Sequence, residues 1–187
     1  MDVAAWRRET RARLIGAREH IPPEERERSS VKIVSFLEEI LETLPPRNLS
    51  AYLPFKAEVD LRGLLGRLHV KGWTTAVPSV VSKGVALEFL QWTPETEMES
   101  GVYGIPVPRI RIPVLPDVMV IPLVAFDVQN FRLGYGGGYF DFTLAGLQPR
   151  PRTIGVGFEL ARLDTIYPHP NDIPLDLIVT EAGVLKL

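Results

Sequence analysis

Residues 118–142 read VMVIPLVAFDVQNFRLGYGGGYFDF, an apolar run that leads into a glycine-rich loop. Residues 118–127 show no alternation of apolar and polar side chains, which is typical of a central parallel strand covered on both faces. Four of the five residues 134–138 are glycines. Because glycine loses more conformational freedom on folding than any other residue, this cluster indicates a backbone that something approaches closely. The segment therefore predicts a buried strand, a loop and a short helix that begins near Tyr139.

The rest of the chain is predicted to alternate between helices and strands. Helices are predicted over 2–19, from the end of IPPEE to about Leu44, and over 59–72. Strand patterns occur at 49–54, 74–81, 85–92, 153–158 and 177–185, and the proline-rich stretch 93–116 is predicted to form loops. This alternation favours an α/β sheet with helices on both faces, whose ligands bind beyond the carboxyl ends of the strands.

Composition limits the classes of protein that the chain can belong to. Its 187 residues fit one domain, 1–187, and its net charge of −2 argues against binding to nucleic acid or an anionic membrane. The absence of cysteine excludes disulfides, thiolate metal sites and cysteine nucleophiles. The N-terminus has no apolar signal segment, and no apolar run reaches the roughly 20 residues that span a bilayer. We expect a cytoplasmic protein; the sequence does not set its oligomeric state, and a monomer is the expectation.

The glycine loop has two readings. It lacks the lysine of a Walker A loop and, with Tyr139 at the last glycine position, misses the dinucleotide fingerprint. Its place between a strand and a helix favours phosphate, but a tight structural turn that needs positive φ angles explains the glycines equally well. Arg132 before the loop and Asp141 after it are the pair that a site for phosphate and Mg²⁺ would use. Asp141 alone is also explained as an acid favoured at a helix N-terminus.

Several segments together carry a resemblance to a known family. FDVQNFRLGYGGGYFDFTL (126–144) resembles the signature of 5-formyltetrahydrofolate cyclo-ligases, also called 5,10-methenyltetrahydrofolate synthetases. The basic first helix and three further segments match in the same order: AYLPFKAEVDL (51–61), GIPVP (104–108) and PHPNDIPLDLIVTE (168–181). The resemblance implies a three-layer α/β/α sandwich with a mainly parallel central sheet, similar to the sugar-phosphate isomerase and CoA-transferase-like fold. It also implies cyclisation of 5-formyltetrahydrofolate to 5,10-methenyltetrahydrofolate, which requires ATP and Mg²⁺ and releases ADP and phosphate.

The resemblance also implies roles for individual residues. The ATP-binding residues would be Arg7, Arg11, Arg132, Leu133, Gly134, Tyr135, Gly136, Gly137, Gly138, Tyr139 and Phe140, with Arg132 and Tyr139 also catalytic. Leu53, Glu58, Tyr103, Tyr135 and Tyr139 would contact the folate, and Asp141 and Asp172 the metal ion. Without the resemblance, the N-terminal arginines, among them Arg18, suit a solvated helix face, Glu58 an exposed helix start, and Tyr103 a core position.

Four residues depart from the pattern that the resemblance implies. Val107 stands where glutamate is usual, Phe142 where arginine is frequent, Phe140 where a second tyrosine occurs, and Asn130 where glycine is common. Because Val107 and Phe142 each remove a polar group, two other functions remain open. One is a catalytically silent paralogue that binds folate or nucleotide. The other is a sugar-phosphate or CoA-linked enzyme on a related fold.

Overall fold

The computed structural model describes residues 2–186 as four α-helices and twelve β-strands. The helices are α1 Val3–Glu19, α2 Pro23–Glu42, α3 Arg62–Val70 and α4 Tyr139–Gly146. The first strands are β1 Asn48–Ala51, β2 Thr74–Ser79, β3 Glu88–Gln91, β4 Met98–Ser100, β5 Pro106–Pro108 and β6 Val118–Pro122. The remaining strands are β7 Ala125–Asp127, β8 Arg132–Leu133, β9 Arg152–Val156, β10 Arg162–Leu163, β11 Leu177–Thr180 and β12 Gly183–Lys186.

A seven-stranded sheet forms the centre, in the order β12-β11-β9-β6-β1-β2-β3. Its five inner strands run parallel, and β3 and β12 join its edges antiparallel. The prediction of a mainly parallel α/β sheet is confirmed. In the described residues, 2–186, no helix is long and apolar enough to cross a membrane.

Alternate residues of β6 pack into different layers. Val118 and Val120 join a core with Leu37 of α2 and Leu65 of α3. Met119 and Ile121 join a second core that contains α4. The uninterrupted apolar pattern of β6 therefore reflects a strand that is buried on both sides, as predicted.

The structure corrects the prediction of one continuous strand over 118–127. The strand β6 ends at Pro122, and β7 belongs instead to a three-stranded sheet in the order β10-β7-β8. Proline has no N–H to donate, and the N–H of Val124 bonds to the carbonyl of Leu133. This break leaves the end of β6 open and brings β8, from which the glycine loop emerges, beside it.

The strand predicted over 177–185 is instead a hairpin of β11 and β12, and the other predicted elements differ mainly at their ends. The strand predicted over 49–54 stops at Ala51, and the helix predicted from 59 begins at Arg62. The predicted loop region 93–116 contains a short hairpin formed by β4 and β5. Three-residue strands are too short to show an alternating pattern, which explains why the sequence did not indicate them.

Asn130 illustrates how one departure from the family pattern is accommodated. Its φ angle is +59°, in the left-handed region that favours glycine and, next, asparagine. The side chain is buried, and its Nδ2 donates to the carbonyl of Leu175 at 3.2 Å. Asparagine therefore satisfies the backbone angle and adds a link to the chain before β11.

Asp127 holds the turn that leads to the glycine loop, and its substitution tests this role. Its Oδ1 accepts the N–H groups of Gln129 and Phe131, both at 3.1 Å, and its Oδ2 accepts that of Ile166 at 3.1 Å. In Asp127→Asn, an NH₂ group replaces one of the two carboxylate oxygens. This NH₂ donor then faces a backbone N–H that the oxygen accepted in the wild type. We expect the free energy of unfolding, measured by urea denaturation, to fall by about 1–3 kcal/mol. The exposed Asp164→Asn is the control, and equal stability of the two variants would contradict the assignment.

Candidate active site

Two cavities meet at the carboxyl end of β6, where the sequence predicted a ligand site. The first, here called the polar cavity, has a volume of about 180 Å³ and five charged side chains in its wall. The second has a volume of about 380 Å³ and a mostly apolar wall. Both are lined by Pro122, Tyr135, Tyr139 and Phe140. Ligands in the two cavities would therefore both contact these four residues.

The polar cavity lies between α1 and the glycine loop. Arg7 and Arg11, one turn apart on α1, both line it. Arg11 Nε donates to the carbonyl of Gly134 at 2.7 Å, which ties the helix to the loop. Burial and the neighbouring charge of Arg7 lower the pKa of Arg11, against the opposing effect of Asp172. The expected solvated face is wrong for these two arginines, since they form a positive wall suited to an anion.

Two carboxylates complete the polar cavity, and each is bonded through one oxygen. Asp141 Oδ1 accepts Arg132 Nη2 at 2.9 Å and the N–H of Ile173 at 3.1 Å. Asp172 Oδ2 accepts Arg7 Nη2 at 2.5 Å and the N–H of His169 at 2.8 Å. Within residues 2–186, Asp141 Oδ2 and Asp172 Oδ1 accept no hydrogen bond. Each carboxylate thus keeps one oxygen for a cation.

The donor set suits a cation that shares its ligands with an anion. No cluster of three or more His, Cys, Asp or Glu side chains that could hold a metal occurs in the part of the chain that the structure describes. Mg²⁺ commonly uses one or two carboxylates and completes its six positions with phosphate oxygens and water. Asp141 and Asp172 therefore fit Mg²⁺ only together with a bound phosphate.

The glycines of the loop have different structural roles. Gly136 and Gly138 adopt φ angles of +100° and +67°, which other residues rarely adopt. A Cβ on Gly134 would meet no protein atom within 4 Å, so this backbone is open to the polar cavity. A Cβ on Gly137 would lie 2.4 Å from the ring of Tyr139. The backbone angle therefore explains Gly136 and Gly138, packing against Tyr139 explains Gly137, and close approach of a ligand explains Gly134.

Two of the residues predicted to bind ATP line neither cavity. The side chain of Leu133 is fully buried in a core cluster with Leu14 and Ile166. Position 137 needs a glycine because the Tyr139 ring leaves no space for a Cβ, and Gly137 lines neither cavity. Any contact of these residues with a ligand would have to use the backbone.

The apolar cavity brings together all five residues that the resemblance assigned to the folate. They are Leu53, Glu58, Tyr103, Tyr135 and Tyr139. The sequence missed most of the remaining wall, which is supplied by Tyr52, Phe55, Lys56, Pro78, Val80, Leu87, Val102, Ile105 and Val107. These come from separate segments, and no local pattern distinguishes a cavity wall from an ordinary core position.

Glu58 is the acidic group of the apolar cavity. Its side chain is 5% exposed, so the expected exposed helix start is wrong. Oε1 accepts the hydroxyl of Tyr135 at 2.6 Å, and Oε2 accepts the N–H of Phe55 at 2.9 Å. Burial raises the pKa of Glu58, opposed by the hydrogen bond from Tyr135 and the charge of Arg18. Burial and Glu58 raise the pKa of Tyr135, which keeps it protonated as the donor.

Arg18 connects the two cavities, although the sequence assigned it no role beyond the face of α1. It is 5% exposed and donates from Nε to the carbonyl of Lys56 at 2.9 Å and from Nη1 to that of Leu123 at 3.1 Å. Its Nη2 donates to the hydroxyl of Tyr135 at 2.5 Å and lies 3.7 Å from Glu58. The spacing of seven residues from Arg11 was the only signal for this position.

Tyr103 bridges the mouth of the apolar cavity. Its hydroxyl lies 3.0 Å from that of Tyr139, and this hydrogen bond raises the pKa of Tyr139. Tyr103 is 64% exposed with a φ angle of +60°, so the expected core position is wrong. The β4–β5 hairpin thus reaches the glycine loop through this pair of hydroxyls.

Comparison with known proteins identifies the family. The family model described as "5-formyltetrahydrofolate cyclo-ligase family" matches residues 3–181. The chain belongs to the 5-formyltetrahydrofolate cyclo-ligase family. It is 32% identical to the 5-formyltetrahydrofolate cyclo-ligase of Escherichia coli K12 over 154 residues, which cover 76% of this chain and 84% of that one. The enzyme of the same name from Haemophilus influenzae is 30% identical over 149 residues, covering 75% and 79%.

Solved structures of 5,10-methenyltetrahydrofolate synthetases, the other name for these enzymes, have the same fold. The NMR structure of Aquifex aeolicus 5,10-methenyltetrahydrofolate synthetase has a TM-score of 0.80 and 29% identity, covering 97% of this chain and 92% of that one. The Mycoplasma pneumoniae 5,10-methenyltetrahydrofolate synthetase has a TM-score of 0.78 and 25% identity, covering 97% and 99%. The third possibility from the sequence, an enzyme of another family on a related fold, is therefore wrong.

Val107 and Phe142, the two departures from the family pattern that remove a polar group, lie in different places. Val107 is buried in the wall of the apolar cavity, and its methyl groups occupy the space beside Gly101. Phe142 is 53% exposed and lines neither of the two cavities. Neither substitution leaves a buried polar group without a partner, because the only such side-chain atom among residues 2–186 is Arg7 Nε.

The raised pKa of Glu58 predicts a dependence of stability on pH. The folded state holds the Glu58 proton more tightly than the unfolded state, so this group's contribution to the free energy of unfolding falls as pH rises above about 4.5. Glu58→Gln lacks this contribution. The wild type should therefore lose stability relative to Glu58→Gln between about pH 4.5 and pH 7 in urea denaturation.

The same pH series with the exposed Glu95→Gln controls for the change of an acid to an amide. If the stability of the wild type relative to Glu58→Gln stays constant or increases as pH rises, the inferred effect of burial on Glu58 is contradicted.

Proposed function

We propose that this chain catalyses the ATP- and Mg²⁺-dependent closure of 5-formyltetrahydrofolate to 5,10-methenyltetrahydrofolate, with release of ADP and phosphate. The observation that carries the proposal is the contact between a polar and an apolar cavity at Pro122, Tyr135, Tyr139 and Phe140. A polar cavity suits the phosphates of ATP and an apolar cavity suits the flat ring of a folate, so a common wall would bring the two reacting groups together. The names of the relatives support the identity of the folate substrate and product.

The polar cavity would hold the phosphates of ATP. Arg7, Arg11 and Arg132 supply positive charge, and the open backbone at Gly134 allows close approach. Asp141 and Asp172 would hold Mg²⁺ through the oxygens that accept no hydrogen bond within residues 2–186. When bound, Mg²⁺ would neutralise charge on the phosphates.

The apolar cavity would hold the folate. A pterin ring carries adjacent N–H donors, and each oxygen of Glu58 accepts a single hydrogen bond from the described residues, 2–186, which leaves a lone pair for the ligand. Leu53 and Tyr103 would cover the ring, and Tyr135 fixes the orientation of the carboxylate. The raised pKa of Tyr135 is consistent with this role, since the hydroxyl must stay a donor.

The chemistry would occur at the shared wall and needs no protein nucleophile. The formyl oxygen attacks the γ-phosphorus as the bond to ADP breaks, which leaves a phosphorylated iminium. N10 then attacks the activated carbon and loses its proton, and the carbon–oxygen bond breaks to release phosphate. The protein aligns the two substrates and stabilises charge, with Arg132 and Tyr139 closest to the transferred group.

Four finer statements belong to this proposal. The architecture would be that of the sugar-phosphate isomerase and CoA-transferase-like fold, supported by the parallel sheet with helices on both faces. We also retain from the sequence the expectations of a monomer and of a cytoplasmic location. The near-neutral charge supports a small-molecule substrate rather than a nucleic acid.

Formation of methenyltetrahydrofolate, followed by its near-ultraviolet absorbance, tests the function directly. Wild type should give a signal that requires both ATP and Mg²⁺. Asp141→Asn keeps an acceptor for Arg132 but removes the negative charge, so we expect at least a tenfold loss of kcat, which corresponds to about 1.4 kcal/mol. Binding of folate or ATP in calorimetry without turnover would instead favour the silent paralogue, and absence of both would overturn the proposal.

Gly134→Val tests the approach of phosphate to the loop. The glycine lies outside the left-handed region and has free space around its Cβ position, so the fold should lose no more than about 1 kcal/mol. A side chain there would occupy the polar cavity and reduce kcat/KM for ATP by at least about tenfold. Gly136→Val is less informative, because its φ angle of +100° adds backbone strain.

The matched control is Gly16→Val, at a glycine of α1 with equally open surroundings that lines neither cavity. Activity of Gly134→Val equal to that of the control would contradict a phosphate site at this backbone.

A further inference from the structure

Lys56 is the only basic residue among those of 2–186 that line the apolar cavity. The rest of this wall consists of apolar and aromatic side chains, together with the carboxylate of Glu58. Lys56 is exposed, so it lies at the rim, where the cavity meets solvent. A cation at this place suits a ligand that carries an anionic group at its solvent end.

The positive charge of Lys56 is not neutralised by the protein. It forms no ion pair with any acidic side chain of the described residues, 2–186. The carboxylate of Glu58, two positions further on, bonds instead to Tyr135 and to the N–H of Phe55. Lys56 Nζ lies 5.4 Å from the centre of the Phe55 ring, a cation–π distance. This contact keeps the ammonium group beside the cavity and leaves its three donors for a ligand.

The backbone at Lys56 makes lysine an unfavourable residue for the turn that it occupies. Lys56 and Ala57 have φ angles of +47° and +60°, and the N–H of Glu58 donates to the carbonyl of Phe55 at 3.2 Å. Positive φ angles at both central residues are typical of a type I′ turn, where glycine, asparagine and aspartate dominate. Since asparagine or glycine would suit this backbone better, the presence of lysine is explained by its side chain and not by the turn.

The turn separates an inner acid from an outer cation. Glu58 is buried, with a side chain that is 5% exposed, whereas Lys56 is exposed. The Lys56 carbonyl accepts Arg18 Nε at 2.9 Å, which fixes the turn against α1. The apolar cavity therefore offers a hydrogen-bond acceptor at depth and a positive charge at its opening.

We infer that Lys56 binds a carboxylate of the glutamate tail of the folate and so makes the site select substrates with a charged tail. The inference rests on the proposed function and names a residue that determines specificity in the same site. A folate has N–H donors on its pterin ring and two carboxylates on its glutamate, which matches the order of Glu58 and Lys56 from depth to rim. Because a carboxylate is costly to bury without a partner, the tail leaves the cavity at the rim.

Calorimetric titration with 5-formyltetrahydrofolate and with its dimethyl ester, both without ATP, separates the tail charge from the rings. The ester keeps the rings, the formyl group and the length of the tail but carries no carboxylate. Wild type should bind the acid about 3- to 10-fold more tightly than the ester, between the values for an exposed ion pair and a charge-assisted hydrogen bond. Lys56→Asn should bind both ligands equally, with the affinity of the wild type for the ester. Lys56→Arg keeps the cation and should keep a preference for the acid of at least about threefold.

Lys83→Asn is the matched control, because it removes an exposed lysine from a turn that lines neither cavity, and it should keep the wild-type preference. Lys56→Asn should lose no stability in urea denaturation, since asparagine adopts positive φ angles more readily than lysine. Its lower affinity is then not caused by a disturbed turn.

Equal binding of acid and ester by the wild type would overturn the role of Lys56 and leave the proposed function standing. An unchanged preference in Lys56→Asn, or an equal loss for both ligands, would do the same. Wild type that binds neither ligand would overturn both.

Discussion

The buried guanidinium of Arg18 is the interaction on which the arrangement of the site depends. Its donors bond to the segment before Glu58, to the carbonyl at the break after β6, and to the glycine loop through Tyr135. Burying a guanidinium is costly unless its hydrogen bonds are satisfied, so these three segments are held at fixed distances from α1. The polar and apolar cavities are therefore held together by the hydrogen bonds of Arg18, although Arg18 itself lines neither of them.

The sequence predicted the sheet well because β6 carries a strong local signal. Apolar residues without alternation indicate burial on both faces, and the structure confirms two separate cores around this strand. The break at Pro122 was missed because the residues after it, Leu123 and Val124, are as apolar as those before it. Their hydrophobicity indicates that these residues are buried but not which sheet they join. The bonds from the Leu123 carbonyl to Arg18 and from the Val124 N–H to Leu133 take the chain out of the central sheet.

Local patterns indicated the site only where its motif is continuous, and the positions in distant segments came from the resemblance to the family. The glycine loop and its flanking charges, Arg132 and Asp141, lie within ten consecutive residues. Tyr103 meets Tyr139 across 36 positions, and Arg18 meets Tyr135 across 117, which no local spacing can indicate. The individual glycines also needed the structure, since backbone angle requires two of them, the Tyr139 ring requires a third, and the fourth is open to the cavity.

In the polar cavity, the carboxylate of Asp172 neutralises the charge of Arg7 in an ion pair. Arg132 and Asp141 form a second such pair, so the charges of this wall are largely balanced before any ligand arrives. A metal ion alone would meet carboxylates that are already compensated, and a phosphate alone would meet arginines that are already engaged. On the proposed function, binding of either ligand would weaken these internal pairs and so favour binding of the other, and such coupling is reciprocal. Metal and nucleotide would then bind cooperatively, with the two salt bridges, loosened but not displaced, carrying the coupling between them.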